Sequence, residues 1–217
     1  SPFLLTERST LSRRIAALGT ARRVADGEFV YRQGVVSAYF HQVVSGRVRI
    51  FLSRPDGSER VLSYAEAGAS FGEAGAFDGL PRYTSSTAVG PAEVLWIGRD
   101  AVLAAGRRDP EILLEITRRV AHKQRVLGMH VAADGLPAAG RVVLLLDHLV
   151  GAFGAAGEGT SARLPVRQST AELAQLIGVT RVTLSRVLSR LVADGVLAKH
   201  GRQIVVLDVA ELHRRAV

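Results

Sequence analysis

The sequence predicts an α+β chain in which a β-rich N-terminal part, a long helix and a helical C-terminal part follow one another. Residues 24–100 show short strands separated by glycines, residues 101–132 show a helical pattern, and residues 137–217 show short helices that end in a β-hairpin. Many short strands with regular turn signals are typical of a β-sandwich or barrel. The expected domain limits are 1–107, 108–136 and 137–217.

The strands of the N-terminal part are predicted from alternation and turn residues. Val48, Ile50 and Leu52 alternate with the positions between them, which is the period of a half-buried strand. Residues 55–58, Pro-Asp-Gly-Ser, form a turn signal because proline fixes φ and the Asp-Gly pair tolerates positive φ. A return strand is then expected at 60–64.

A long helix is predicted to begin at Pro110, where a proline and an acid occupy the first turn. Its apolar positions, at helical spacing, are Leu113, Ile116, Val120 and Leu127. Such a seam predicts packing against the same helix of a second subunit, and packing on its own domain is the alternative. Residues 135–137, Gly-Leu-Pro, end the helix and form a hinge, and an apolar helix is expected at 138–153.

The composition is that of a globular chain and excludes several kinds of site. The 217 residues are 47% hydrophobic, and 28 basic against 20 acidic residues give a net charge of +8. A basic chain indicates a phosphate-bearing partner or only a well-solvated surface, and charge alone does not decide between them. Because cysteine is absent, disulfides, thiolate-bound zinc and cysteine-ligated iron–sulfur clusters are excluded. No signal peptide or transmembrane helix is predicted, so we expect a cytoplasmic protein.

The C-terminal part carries the pattern of a helix-turn-helix. Ser169 and Glu172 have the spacing of a capping box at a helix start. Gly178 suits the left-handed turn between two helices, and Thr180 suits the N-cap of a second helix over 181–193. In such a motif the second helix enters the major groove, so DNA is the predicted partner. An ordinary pair of packed helices is the alternative.

The second helix has a polar outer face, and a β-hairpin follows it at 196–206. Arginine suits base recognition because its planar fork bonds both acceptors of guanine. At the tip of the hairpin, Lys199 and Arg202 are placed to meet phosphates. The predicted DNA-binding residues are Ser169, Thr180, Arg181, Val182, Thr183, Ser185, Arg186, Arg190, Lys199 and Arg202.

This arrangement resembles the winged helix of the CRP/FNR family of bacterial transcription regulators. Residues 71–78, Phe-Gly-Glu-Ala-Gly-Ala-Phe-Asp, followed by Pro81-Arg82, look like the phosphate-binding cassette of that family. The resemblance covers about residues 10–212. It implies a cyclic-nucleotide-binding-type β-roll (a jelly roll), a dimerisation helix and a winged helix-turn-helix. It further implies a transcription regulator, not an enzyme, that binds a palindromic operator as a homodimer and has RNA polymerase as a further partner.

The resemblance also implies an effector site in the β-roll, with a cyclic nucleotide as the candidate effector. In cyclic-AMP-binding members a Gly-Glu pair meets the ribose and an Arg-Ser pair meets the cyclic phosphate. Gly72, Glu73 and Arg82 match that pattern. The next residue is Tyr83, so either Tyr83 replaces the small hydroxyl or Thr84 takes its place. The predicted effector-binding residues are Gly72, Glu73, Arg82, Tyr83, Thr84 and Leu127.

Two departures from the family pattern bear on specificity. Leu127 and Gly128 stand where members that respond to cyclic AMP place hydroxyl residues against adenine, and they offer no such contact. In the recognition helix, Val182 replaces an acid that accepts a hydrogen bond from cytosine, and its methyl groups suit a thymine methyl. We therefore expect an operator that keeps its G-C steps and departs from the family consensus at one position.

Three alternatives stay open at this point. In the first, the pocket is unused and Glu73 and Arg82 are paired as ions. In the second, the regulator needs no effector. In the third, the chain is a nucleotide-sensing module that regulates another protein instead of binding DNA. No metal site is predicted, because the six histidines show no ligand spacing supported by a carboxylate. The sequence has neither a Gly-x-Ser-x-Gly elbow nor a Walker motif, so no catalytic residues are predicted.

Overall fold

The computed structural model describes residues 4–5, 10–153, 155–156, 161–164, 169–200 and 203–216. The chain divides into two compact units, residues 2–127 and residues 128–217. The division falls inside a continuous helix that spans Glu111–Asp134. Within the described residues, no helix is long and apolar enough to cross a membrane.

The described part of the N-terminal unit is a β-roll made of two sheets. Its strands are β1 (Leu4–Leu5), β2 (Gly19–Val24), β3 (Phe29–Tyr31), β4 (Tyr39–Ser45), β5 (Arg47–Ser53), β6 (Glu59–Glu66), β7 (Ser70–Phe71), β8 (Ser85–Ala88) and β9 (Ala92–Gly98). One sheet has the order β1-β6-β5-β8-β3 and the other has the order β2-β9-β4-β7. The β1–β6 pair is parallel, and the other strand pairs are antiparallel.

Among the described residues, two clusters of buried apolar side chains pack inside this unit. The first lies between the two sheets and includes Val43, Val48, Phe71 and Val94. The second joins the sheets to the helices of the unit and includes Ile15, Phe40, Ile97, Val102, Ile112 and Ile116. These helices are α1 (Thr10–Ala16), α2 (Glu73–Asp78), α3 (Arg99–Arg108) and α4 (Glu111–Asp134). The predicted sandwich or barrel of short strands is therefore confirmed.

Strand β5 follows the predicted alternation only in its first half. Val48 and Ile50 are buried as predicted, but Phe51 is buried as well and Leu52 is only half-buried. The register between β5 and β6 shifts between Ile50 and Phe51. Such an irregularity places two successive side chains on the same side of the sheet. The prediction that Leu52 rather than Phe51 faces the core was wrong.

The helical pattern over 101–132 belongs to two helices, α3 and α4. The backbone of Asp109 is extended, with φ −142° and ψ 95°, and Pro110 has no N–H to donate to a continuing helix. The Asp109 carboxylate accepts a hydrogen bond from the N–H of Glu111 at 3.2 Å. The predicted start at Pro110-Glu111 is confirmed, whereas the single helix over 101–132 was wrong.

The apolar seam of α4 is divided between different environments. Leu113 and Ile116 pack in the second core cluster of their own unit, which is the alternative given for the seam. Val120 is 37% exposed, and Leu127 is half-buried. Leu114 and Val131, which lie outside the predicted seam, are also exposed.

Among its described residues, the C-terminal unit packs four helices after α4 with a small antiparallel sheet. The helices that follow α4 are α5 (Ala138–Phe153), α6 (Thr170–Ile177), α7 (Arg181–Ala193) and α8 (Val209–Ala216). The strands are β10 (Ala155–Ala156), β11 (Ala162–Leu164), β12 (Leu197–His200) and β13 (Gln203–Val206), in the order β10-β11-β13-β12. Helix α5 has its predicted bounds. Strand β10 was not predicted, and α8 follows the hairpin with which the chain was expected to end.

Candidate functional site

In the N-terminal unit, the side chain of Arg82 lies close to the backbone of Gly72. Gly72 has φ +83° at the start of α2, a left-handed conformation that favours glycine. A Cβ atom at this position would lie 2.5 Å from Nη1 of Arg82. The Gly72 carbonyl instead accepts a hydrogen bond from Nη1 of Arg82 at 3.0 Å. Glycine at position 72 therefore leaves room for the Arg82 guanidinium.

A cavity of about 260 Å³ opens beside these two residues. Its lining residues are Tyr31, Ile50, Leu62, Ser63, Phe71, Gly72, Glu73, Ala74, Gly75, Arg82, Tyr83, Thr84, Val120, Lys123, Gln124, Val126 and Leu127. All six predicted effector-binding residues are among them. The cavity thus combines an apolar lining with one acidic and two basic side chains.

Glu73 is 1% exposed and forms an ion pair with Lys123. Its Oε1 atom accepts hydrogen bonds from Nζ of Lys123 at 2.5 Å and from the hydroxyl of Ser70. Burial by itself raises the pKa of Glu73, but the charge and hydrogen bonds of Lys123 and the Ser70 hydrogen bond outweigh it and lower the pKa below its usual value. The pairing of Glu73 with Arg82 that one alternative required was wrong.

The other carboxylate oxygen of Glu73, Oε2, is buried and has no hydrogen-bond partner among the described residues. The same holds for Nε of Arg82. One unpaired acceptor and one unpaired donor therefore belong to two side chains that line the same cavity. Buried polar groups without partners are uncommon in folded proteins. These two atoms are therefore candidates for hydrogen bonds to a bound ligand.

Arg82 is held by contacts on its edge and on its face. Nη1 donates to the Gly72 carbonyl, and Nη2 donates to the carbonyl of Tyr39. The Cζ atom lies 4.0 Å from the centroid of the Tyr31 ring. The side chain is only 3% exposed, so the guanidinium is nearly removed from solvent.

Tyr83 and Thr84 both line the cavity, but their environments differ. Thr84 is 5% exposed, and its hydroxyl lies 3.1 Å from the hydroxyl of Tyr31. Tyr83 is 46% exposed. Of these two residues, Thr84 is therefore the one with the buried hydroxyl.

The lining residues that sequence reasoning missed include the polar side chains of Tyr31, Lys123 and Gln124. Lys123 lies 50 residues from its partner Glu73 in the sequence, so no local motif joins them. The signal in the sequence that could have indicated Lys123 is its place between the apolar seam positions Val120 and Leu127. Tyr31 and Thr84, whose hydroxyls are in contact, are likewise separated by 53 residues in the sequence.

The predicted helix-turn-helix is confirmed in its local geometry. The Ser169 hydroxyl accepts from the N–H of Glu172 at 3.2 Å, and the Glu172 carboxylate accepts from the N–H of Ser169 at 2.7 Å. Gly178 ends α6 with φ +62°. Thr180 caps α7 by accepting from the N–H of Thr183 at 3.1 Å. These interactions fix both helix starts and the turn between the helices.

Helix α7 presents a polar face and buries an apolar one. Leu184, Leu188 and Leu191 are buried. The predicted DNA-binding residues that are exposed are Ser169, Thr180, Arg181, Val182, Ser185, Arg186, Arg190 and Lys199. Thr183 is half-buried, and Arg202 lies outside the described residues. Most of the predicted surface is thus accessible.

Arg141, at the start of α5, connects the end of α4 to the turn of the helix-turn-helix. Its Nε donates to the carbonyl of Leu136 at 2.9 Å, and Nη2 donates to that of Asp134 at 3.2 Å. Nη1 reaches the carbonyls of Ile177 and Gly178 at 3.5 and 3.4 Å. One guanidinium therefore satisfies carbonyls from two helix ends.

The described residues contain no group of three or more His, Asp or Glu side chains that is arranged to hold a metal ion. His41, which lies near Arg82, is 2% exposed. Burial and the charge of Arg82 lower the pKa of His41 to about 3.

The chain is similar to known proteins over both units. Residues 21–109 match the cyclic nucleotide-binding domain family, and residues 140–215 match the Crp-like helix-turn-helix domain family. A CRP-like cAMP-activated global transcriptional regulator of Mycobacterium tuberculosis is 30% identical over 208 residues, which is 93% of this chain and 92% of the relative. A cyclic AMP receptor protein of Thermus thermophilus is 30% identical over 196 residues, which is 90% and 87% of the two chains.

The fold is also that of a solved structure. A mutant of CooA from Carboxydothermus hydrogenoformans superposes with a TM-score of 0.83 over 98% of both chains, at 19% identity. The β-roll with its cavity, the capped helix-turn-helix and the two family matches point to one family, whose members are regulators and not enzymes. The chain belongs to the CRP/FNR family of DNA-binding transcription regulators.

Proposed function

We propose that this regulator binds a cyclic nucleotide in the cavity of its β-roll and that the bound nucleotide controls its affinity for DNA. The observation that carries the proposal is the pair of unpartnered buried atoms, Oε2 of Glu73 and Nε of Arg82, on two residues that line one cavity. A ribose hydroxyl supplies the donor that Glu73 lacks. A cyclic phosphate supplies the acceptor that the Arg82 guanidinium lacks.

The remaining lining residues complete the proposed site. Lys123 adds a second positive charge near the phosphate and sugar, and Thr84 provides the small hydroxyl that follows the arginine in relatives that bind cyclic AMP. Leu127 offers apolar contact to the base. The two curated relatives are named for cyclic AMP, and Leu127 gives no polar contact to adenine, so we include cyclic GMP beside cyclic AMP as a candidate.

The winged helix-turn-helix is proposed to bind a two-fold operator through the exposed face of α7. Arg181 and Arg186 are placed to read guanines, and the exposed Val182 to contact a thymine methyl. Lys199 on β12 contacts the phosphate backbone in this proposal, and so does Arg202. We retain the domain limits 1–107, 108–136 and 137–217 as part of the proposal.

A homodimer is proposed because α4 leaves apolar side chains exposed in the single chain. Leu114 is 42% exposed, Val120 37% and Val131 75%. Covering such residues with the same helix of a second copy buries apolar surface, and a dimer matches the symmetry of a palindromic operator. RNA polymerase is the further partner we propose, and the cytoplasm is the proposed location.

A thermal-shift assay on the full chain tests the effector. Because a ligand that binds only the native state raises its stability, cyclic AMP or cyclic GMP is expected to raise the Tm, and 5′-AMP is not. Arg82→Lys is expected to lose most of the rise, since lysine lacks the planar fork, whereas Arg108→Lys, an exposed control on α3, retains it. An unchanged Tm of the wild type with both cyclic nucleotides contradicts the proposed effector.

A further inference from the structure

The Arg82 guanidinium rests on an aromatic ring that no motif pointed to. Its Cζ atom lies 4.0 Å from the centroid of the Tyr31 ring, and Tyr31 is 9% exposed. A cation within about 6 Å of an aromatic face is attracted by the electron density of the ring, and the attraction is larger where water is excluded. Tyr31 therefore covers one face of the guanidinium and leaves its edge for hydrogen bonds.

The ring of Tyr31 is itself held in place. It stacks on the imidazole of His41, with centroids 5.6 Å apart and an interplanar angle of 25°, and it packs against Phe71 at 5.9 Å. His41 meets Trp96 edge-on at 4.8 Å. We call Tyr31 and His41 the aromatic platform. The buried Phe71 and the half-buried Trp96 pack against its two rings.

The platform carries no charge at physiological pH. The low pKa of His41 keeps its imidazole neutral, so it does not repel Arg82. Burial raises the pKa of Tyr31 to about 12, so its hydroxyl keeps its proton and bonds to the Thr84 hydroxyl at 3.1 Å. The same ring thus contacts both the arginine and the small hydroxyl of the cavity.

We propose that Tyr31, stacked on His41, is a positioning residue that fixes the plane of the Arg82 guanidinium and the orientation of the Thr84 hydroxyl before an effector binds. This inference rests on the proposed binding of a cyclic phosphate. The carbonyls of Gly72 and Tyr39 each take an N–H of the guanidinium edge, and the ring prevents rotation out of that plane. A group oriented in advance loses less entropy on binding, which favours affinity.

A first measurement tests the platform without any ligand. The side-chain proton resonances of Arg82 lie over the Tyr31 ring, so they are expected to be shifted upfield by its ring current in the full chain. Tyr31→Phe retains the shift and Tyr31→Leu removes it. Arg82 resonances that do not move in Tyr31→Leu overturn the platform.

A second measurement tests the positioning role through the affinity for cyclic AMP and cyclic GMP. Tyr31→Leu is expected to weaken binding about tenfold, because the guanidinium must then be ordered when the nucleotide binds. Tyr31→Phe keeps the ring and is expected to restore most of the affinity. Phe29→Leu is the matched control, because Phe29 lies on the same strand and under a different arginine, Arg32 at 3.5 Å.

A double-mutant cycle separates positioning from general destabilisation. If Tyr31 acts mainly through Arg82, the losses are less than additive, and Tyr31→Leu costs less affinity in an Arg82→Lys background than in the wild type. Additive losses, or an equal loss in Phe29→Leu, overturn the positioning role. If the wild type binds neither nucleotide, the proposed effector is wrong, and the ring-current shift alone decides whether Tyr31 positions Arg82.

Discussion

The cavity depends on one ion pair whose two members are far apart in the sequence. Glu73 is buried, and its pKa stays below the usual value of 4.5 only because Lys123 and Ser70 outweigh the effect of burial. A carboxyl group whose pKa is lowered by folding stabilises the native state above its ordinary pKa, and it loses that contribution as the pH falls through the lowered value. Protonation of Glu73 at low pH should therefore not stabilise the wild type.

Lys123→Met is expected to reverse that dependence. Without the lysine, burial raises the pKa of Glu73, so the carboxylate destabilises the fold at neutral pH and protonation relieves it. The loss at pH 7 should be about 3 kcal/mol, because one partner of a buried pair has been removed. Denaturant melts at pH 5 and pH 8 measure the free energy of unfolding. Lys123→Met should be more stable at pH 5 than at pH 8.

Two further variants control this prediction. Lys123→Arg keeps the charge and should behave as the wild type does. Arg125→Met removes a charge from an exposed position of the same helix and should have little effect on stability. Equal stability of Lys123→Met at the two pH values would show that Glu73 does not depend on Lys123.

At the scale of elements, local signals predicted local structure well. The Ser169–Glu172 capping box and the Gly178 turn involve residues a few positions apart, so their sequence pattern contains the whole interaction. The irregularity after Ile50 depends on how β5 pairs with β6, which a single strand does not show. The ion pair of Glu73 with Lys123 depends on the tertiary fold in the same way. Reasoning from local patterns therefore succeeded where contacts are close in sequence, whereas the distant placement of Leu127 beside Gly72 and Arg82 was predicted only from the family resemblance.

Gly178 and Gly151 offer a matched test of the turn. Alanine at Gly178 must adopt the left-handed conformation, with φ +62°, and should destabilise the C-terminal unit by about 1–2 kcal/mol. Alanine at Gly151, inside helix α5 with open space around its added Cβ, should stabilise it by ~0.5–1 kcal/mol. Thermal melts of the two variants should therefore shift in opposite directions. A Gly178→Ala variant as stable as the wild type would exclude the strained turn.

At the scale of the whole molecule, helix α4 is continuous from the cavity to the C-terminal unit. Lys123 and Leu127 line the cavity, and the helix ends at Asp134, whose carbonyl accepts from Arg141. Arg141 also contacts the turn before α7. We expect an effector to act as a population shift, by binding the DNA-competent state more tightly than the other state. This chain of contacts is where such a difference would be transmitted.

The charge distribution belongs to the same scale. The net charge of +8 by itself did not distinguish a nucleic-acid partner from a solvated surface. Part of that charge lies on the exposed arginines of α7 and on Lys199 of β12. Replacing Arg181 with alanine should reduce discrimination between operator and random DNA by ~1–3 kcal/mol. Replacing Lys199 should instead weaken binding to all sequences alike.

The central claim is tested most directly by a gel-shift titration of the full chain on a selected two-fold operator and on random DNA. It is carried out at two salt concentrations, with and without cyclic AMP or cyclic GMP. We expect binding that prefers the operator, falls steeply with salt because phosphate contacts release counterions, and tightens with one of the nucleotides. The absence of operator binding at both salt concentrations, with and without nucleotide, would contradict the account.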